Sequence, residues 1–160
     1  MRAPFLFGYA KPVPVNFRAL RWPRRGMVLV AAAGPAMNLA LAVLAGLGFW
    51  LVDDLPATAS RWAGENLRNA LILNAMLAVF NLFPIPPLDG GRILVGVLPK
   101  TLAGFVARLE PYGLTIVIGL LILLPLLGAQ TGLDLDILSR GLAIAAGAVI
   151  DGILHLTGHS

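Results

Sequence analysis

The residues that could do chemistry in this chain lie in one stretch, 81–91, which reads Asn-Leu-Phe-Pro-Ile-Pro-Pro-Leu-Asp-Gly-Gly. It closes a long apolar run and contains an amide, three prolines, a carboxylate and two glycines. Hydrocarbon tolerates a broken backbone and a carboxylate only where protein or a water-filled cavity surrounds them. Asp89, at the end of a broken membrane helix, is therefore the first candidate site residue.

The residue types around Asp89 leave its role open. Its spacing favours a structural role, either as N-cap of the short helix that follows or as the ion-pair partner of Arg92. Its functional role would be that of a hard oxygen ligand for a metal such as Zn²⁺, with Gly90 and Gly91 allowing close approach of backbone or substrate. One carboxylate does not hold a catalytic zinc, which takes three protein ligands and keeps an open position.

The two histidines of the chain are His155 and His159. A spacing of four would place them on one helix face, but Leu156 stands where the zinc protease motif H-E-x-x-H has its general base. Gly158 and the chain end argue against a helix there. We expect a frayed pair on the opposite side of the membrane from Asp89, not a ligand pair.

The composition indicates an integral membrane protein. Of 160 residues, 58% are apolar and 12% charged, and the mean hydropathy is +0.85. The net charge is +4, and half of the twelve basic residues precede the first long apolar run: Arg2, Lys11, Arg18, Arg21, Arg24 and Arg25. This is the positive-inside pattern, so we expect a cytoplasmic N-terminus and a lipid bilayer as partner, with no nucleic acid.

The apolar runs predict an all-α membrane protein with one integral membrane domain over residues 1–160. Three transmembrane helices are expected at about 27–52, 69–88 and 111–133, and a fourth is possible at 137–156. Prolines at 12 and 14 predict a Pro-rich interfacial loop before the first helix. If the second run spans, Asp89 lies near the inner face.

Three sequence elements, in order, resemble the site-2 protease family, the intramembrane zinc metalloproteases. Gly34-Pro-Ala-Met-Asn38 is similar to the family's G-P-x-x-N element, and residues 81–90 are similar to its N-x-x-P-x-x-x-L-D-G element. Residues 7–16 resemble the proline-rich loop of the compact bacterial members. Without the family, Gly34-Pro35 would be a kink and Asn38 a packing residue.

The resemblance implies a zinc endopeptidase that cleaves membrane-embedded substrate helices, in a bacterial inner membrane. Asp89 would be the third zinc ligand. The residues that would shape the broken helix or the substrate path are Gly34, Pro35, Asn38, Asn81, Pro84, Leu88 and Gly90.

The chain departs from the family in one respect. The helix with H-E-x-x-H should precede the Pro-rich loop, and it is not in this sequence, so no catalytic residue is assigned and the chain alone is expected to be inactive. A truncated chain or misplaced start is the favoured explanation; a degenerate relative, or a half that pairs with a separate helix, are the others. The alternative function is a non-catalytic pseudoprotease or scaffold that binds transmembrane helices.

Overall fold

A computed structural model describes residues 22–159 of the chain. The expected Pro-rich loop, and four of the six N-terminal basic residues, lie outside this range. Within it the fold is all helical, as predicted, with no strand between residues 22 and 159. Three helical segments are long and apolar enough to cross a membrane: Pro23–Leu51, Lys100–Thr131 and Ile137–Thr157. The chain is thus an integral membrane protein.

The first apolar run forms α1, Pro23–Gly48, which continues into a 3₁₀ turn at Phe49–Leu51. Pro23 stands in the first turn, where its missing N–H costs nothing. Pro35 lies inside the helix and is fully buried. The expected first span, 27–52, agrees with this helix within a few residues.

The second helix differs from its expected bounds. α2 is Ala57–Asn81, so it begins twelve residues before the charge-free run at 69 and ends seven residues before Leu88. Its first turns use the polar residues 57–68, because a helix satisfies its own backbone hydrogen bonds whether its side chains are charged or not. It ends at Asn81 because Pro84 disfavours helical geometry at the residue before it.

Residues 82–88 interrupt the helix and are followed by a short helix that continues in the direction of α2. This helix, α3, is Asp89–Val97. A Cβ at Gly48 would contact Leu67 of α2, and one at Gly34 would contact Asp89. Gly96 of α3 lies against Val28. As residue numbers rise along α2 and α3, the numbers of their partners in α1 fall. α2 and α3 together therefore run antiparallel to α1 along most of its length.

Asp89 lies beside the first half of α1. Its neighbour Gly34 is seven residues past Met27, where the charge-free run begins, which is about 10 Å along the helix axis. The chain reaches the level of Arg24 only at the end of α3. The expected position of Asp89 near the inner face stays a prediction.

The core lies where α1, α2 and the last helix meet. That helix, α7, is Ile137–Thr157, and the buried cluster contains Ala42, Ala45, Leu71 and Ile153. Small residues of α1 let the helices approach closely. A Cβ at Gly46 would contact Ile153 and Thr157, whereas Ala36 and Ala40 are exposed.

Residues 100–131 connect α3 to α7. They form α4, Lys100–Ala107, a 3₁₀ turn at Glu110–Tyr112, α5, Gly113–Ile118, a π-helix at Gly119–Leu123, and α6, Leu124–Thr131. Gly113 packs on Pro86 of the break. Phe83, Leu120, Leu124 and Leu138 line a common apolar crevice, so this segment wraps the break before the chain enters α7.

Candidate functional site

The break between α2 and α3 is a compact turn of seven residues, 82–88. Backbone N–H groups of Phe83, Ile85 and Leu88 donate to carbonyls two or three residues earlier, at 2.8–3.1 Å. The three prolines have no N–H to donate, and the Pro86–Pro87 peptide bond is cis. The segment thus satisfies much of its own backbone at a depth where water is scarce.

Glycines surround this turn because nothing larger fits. A Cβ at Gly90 would overlap the carbonyl oxygen of Leu82, and one at Gly91 would overlap the Pro86 nitrogen. A Cβ at Gly113, at the start of α5, would overlap the Pro86 carbonyl oxygen. Gly90 was predicted from its motif. Gly113 was missed, because nothing in the sequence indicates which distant backbone a glycine will meet.

Asp89 has neither of the structural partners proposed from spacing. It is the first residue of α3, its predecessor Leu88 is the N-cap, and no side chain caps the helix. Arg92 lies 3.5 Å from Glu110 instead. Within residues 22–159, the Asp89 carboxylate has no hydrogen bond or ion pair. An unpaired acceptor at the N-terminus of a helix gains from the helix dipole and leaves its oxygens available.

Gly34 is the neighbour of that carboxylate on the facing helix. A Cβ added to Gly34 would lie 2.9 Å from Oδ2 of Asp89. The two short motifs, 55 residues apart in the sequence, therefore meet in the fold. Because residue 34 is glycine, the Asp89 carboxylate can lie close against α1.

The other predicted residues lie around this contact. Pro35 is buried, Asn38 is half-buried one turn beyond Gly34, and Leu88 is half-buried beside Asp89. Asn81 is half-buried at the end of α2, and Pro84 is exposed in the turn. Their roles in shaping a substrate path stay predictions.

The two histidines lie at the other end of α1. The ring of His159 is centred 4.8 Å from that of Trp50, and Trp50 Nε1 donates to the carbonyl of Thr157 at 2.8 Å. Trp50 is sixteen residues beyond Gly34, or about 24 Å along a helix. His155 is exposed at the end of α7. As the sequence predicted, the pair is remote from Asp89. The expected fraying is wrong, because α7 continues through His155 to Thr157 and the His159 ring packs on Trp50.

Asp89 alone does not make a zinc site. No group of three His, Cys, Asp or Glu side chains within residues 22–159 is close enough to hold a metal. The remaining residues, 1–21 and 160, contain none of these types. A catalytic zinc needs three protein ligands, so Asp89 supplies one oxygen ligand and not a complete site.

The comparisons with known proteins agree with the motifs. The family model described as Peptidase family M50 matches residues 52–125, which include the break and Asp89. The protein of Bacillus subtilis (strain 168) named "Putative zinc metalloprotease YwhC" is 38% identical over 114 residues, covering 67% of this chain and 51% of its own length.

Two mycobacterial proteins, both named "Putative zinc metalloprotease Rip2", also match. That of Mycolicibacterium smegmatis is 41% identical over 94 residues, 59% of this chain and 35% of its own. That of Mycobacterium tuberculosis (Erdman) is 48% identical over 62 residues, 39% of this chain and 23% of its own. The chain spans about half, or less, of these relatives, and no solved structure matches it. These matches confirm the resemblance seen in the motifs and place the chain in peptidase family M50, the site-2 protease family.

Proposed function

We propose that this chain is the part of a membrane zinc endopeptidase that supplies one metal ligand, Asp89. The reaction is hydrolysis of peptide bonds in membrane-embedded helices. The observation that carries the proposal is the half-buried Asp89 carboxylate, which faces Gly34 and has no hydrogen bond or ion pair with any of residues 22–159, where an unpaired charge in a membrane protein is costly. A metal ion would offset that cost.

The other ligands come from a helix that is not in this sequence. The absence of a three-ligand group within residues 22–159 supports this, as does the fact that the relatives named as metalloproteases are about twice the matched length or longer. The Asp89 carboxylate has no ion-pair partner among residues 22–159, so its oxygens are available to a metal whose imidazole ligands come from such a helix. The helix belongs to a longer chain or to a second polypeptide.

The substrate class follows from the setting of Asp89. A transmembrane helix has all its backbone amides hydrogen-bonded within itself, so a bond is cleaved only after local unwinding. The compact turn at 82–88 keeps α2 from continuing past Asn81. The N-terminal basic cluster supports a cytoplasmic N-terminus, and the bacterial relatives support a bacterial inner membrane.

Co-expression tests this proposal. The 160-residue chain is produced alone and together with the part of the Bacillus relative that the chain does not match, and zinc is measured in the purified membrane protein. We expect substoichiometric zinc in the chain alone. The complex should bind zinc one-to-one and cleave a transmembrane reporter, and Asp89→Ala should abolish both properties.

Asp151→Ala is the matched control, because Asp151 is an exposed carboxylate on α7. It should leave zinc and cleavage unchanged. A complex that forms and binds zinc equally well with Asp89→Ala would refute the ligand assignment. The second candidate function, a non-catalytic protein that binds transmembrane helices, is favoured by the incomplete ligand set. It predicts a complex that binds the reporter but does not bind zinc and does not cleave the reporter.

A further inference from the structure

The C-terminal end of α3 is held by a side chain of α1. One guanidinium nitrogen of Arg24 donates two hydrogen bonds, to the carbonyl of Val95 at 3.1 Å and to that of Leu98 at 2.6 Å. The last carbonyls of a helix have no partner within it. Pro99 is the residue whose N–H would have bonded Val95, and proline has none. Arg24 supplies the missing donor.

The position of Arg24 is unfavourable for its own helix. Arg24 and Arg25 stand in the first turn of α1, where the helix dipole disfavours cations. At the C-terminus of α3 the same cation is favourable. Arg25 makes no such contact, since its guanidinium lies 5.4 Å from the Trp22 ring centroid. The two neighbouring arginines therefore have different surroundings despite equal charge.

A close helix contact accompanies this clamp. A Cβ at Gly96 would overlap the Val28 side chain and lie 3.3 Å from the Arg24 carbonyl oxygen. At its other end α3 begins with Asp89, against Gly34. α3 is thus held to α1 at its C-terminal end and only approaches α1 closely at Asp89. A nine-residue helix is about 13 Å long, so a shift at one end moves the other.

We propose that Arg24 is a positioning residue, which holds α3 in register with α1 and thereby sets where the Asp89 carboxylate lies. The metal part of this inference rests on the proposed function, whereas the clamp itself does not. Loss of the guanidinium lets α3 slide or tilt on α1, and Asp89 moves with it.

Spin-label distances test the clamp without any zinc. The chain has no cysteine, so labels at Leu47→Cys and Val97→Cys, both exposed positions, are unambiguous. In lipid nanodiscs we expect a single distance of about 29 Å. Position 97 lies near the level of Val28, which is nineteen residues from Leu47 along α1. Arg24→Gln should broaden it or add a second component. Arg25→Gln, with the same loss of charge, should leave it unchanged, and Arg24→Lys should restore part of the sharp distance.

An equal effect of the two Gln variants would overturn the proposal, because Arg24 would then act only as a positive charge that sets membrane topology. An unchanged distance in Arg24→Gln would overturn it as well. In the zinc-binding complex, Arg24→Gln should lower zinc affinity at least about tenfold, the range for residues that orient a ligand. If the distances respond and the complex binds no zinc at all, the clamp stands and the proposed function fails.

Discussion

At the scale of single residues, the site depends on an aspartate that has no hydrogen-bond or ion-pair partner among residues 22–159. Asp89 starts a helix, yet Arg92 pairs with Glu110, and Gly34 presents no side chain to the carboxylate. A structural aspartate at this depth would be expected to have a donor, because an unpaired buried charge is costly. Gly34, which has no side chain, lets this carboxylate lie close against α1.

Gly34→Ala tests the close approach of the carboxylate to α1. The added methyl lies 2.9 Å from Oδ2 of Asp89, which can rotate away, so the protein should stay folded while the ligand atom moves. We expect zinc affinity of the co-expressed complex to fall about 10- to 100-fold, as for other changes that misplace a ligand. Isothermal titration of zinc into the metal-stripped complex measures it.

Gly104→Ala is the control for this change, because nothing lies within 4 Å of a Cβ at this helical glycine of α4. Its zinc affinity should equal that of the unchanged protein. Wild-type affinity in Gly34→Ala would mean that the carboxylate does not need this close approach.

At the scale of elements, α2 and α3 form one discontinuous helical path along α1. α2 ends at Asn81 and α3 starts at Asp89, and both pack on the same continuous helix, α1. Broken helices are tolerated in membranes where protein surrounds the irregular backbone. Here Gly113 and the residues after it cover the turn, and the break places the N-terminus of α3 inside the bundle, a common arrangement in binding sites within membranes.

Gly113→Ala should disturb the break. Its Cβ would overlap the backbone of Pro86, which cannot rotate aside as a side chain can. We expect the free energy of unfolding to fall by about 1–3 kcal/mol, the usual cost of overpacking. Equilibrium unfolding in mixed detergent and SDS measures the difference.

Gly147→Ala is its counterpart, since this glycine lies in the middle of α7 with no atom within 4 Å of a Cβ. It should keep or raise stability, by up to about 1 kcal/mol, because glycine weakens helices. An equal effect at both positions would show that Gly113 is not packed on the break.

At the scale of the whole molecule, contacts decide which segments run in parallel. Thr157 meets Trp50 at the far end of α1, and Leu142 shares an apolar groove with Leu77 and Phe80 near the end of α2. α7 therefore runs parallel to α1 and starts near the level where α3 ends. Residues 100–131 begin and end on that side, although their length and hydropathy would admit a crossing.

Cysteine labelling on intact cells tests this arrangement. We expect a membrane-impermeant maleimide to reach single cysteines at Asp54 and His159 on one side. Cysteines at Thr101 and Gly132 should react only after permeabilisation, because both lie on the side of Arg24. Labelling of position 132 together with position 54 would mean that residues 100–131 cross the bilayer.

Much of the fold could be predicted from the sequence. Long charge-free runs require helices in a membrane, because lipid offers no partner for backbone polar groups. The motif at residues 81–90 indicated both a break and the family. The bounds of α2 were wrong because charge-free length was taken as helix length, and a helix extends into polar sequence without cost.

The sequence by itself determined the residue types: a membrane protein with a single carboxylate at a broken helix and no complete set of zinc ligands. Tertiary structure alone decided that Asp89 faces Gly34, that Arg92 turns to Glu110, and that Arg24 holds the end of α3. These are contacts between residues 18 to 74 positions apart. Which such pairs meet depends on helix direction and register, and these follow from packing in the bundle, which no local pattern specifies.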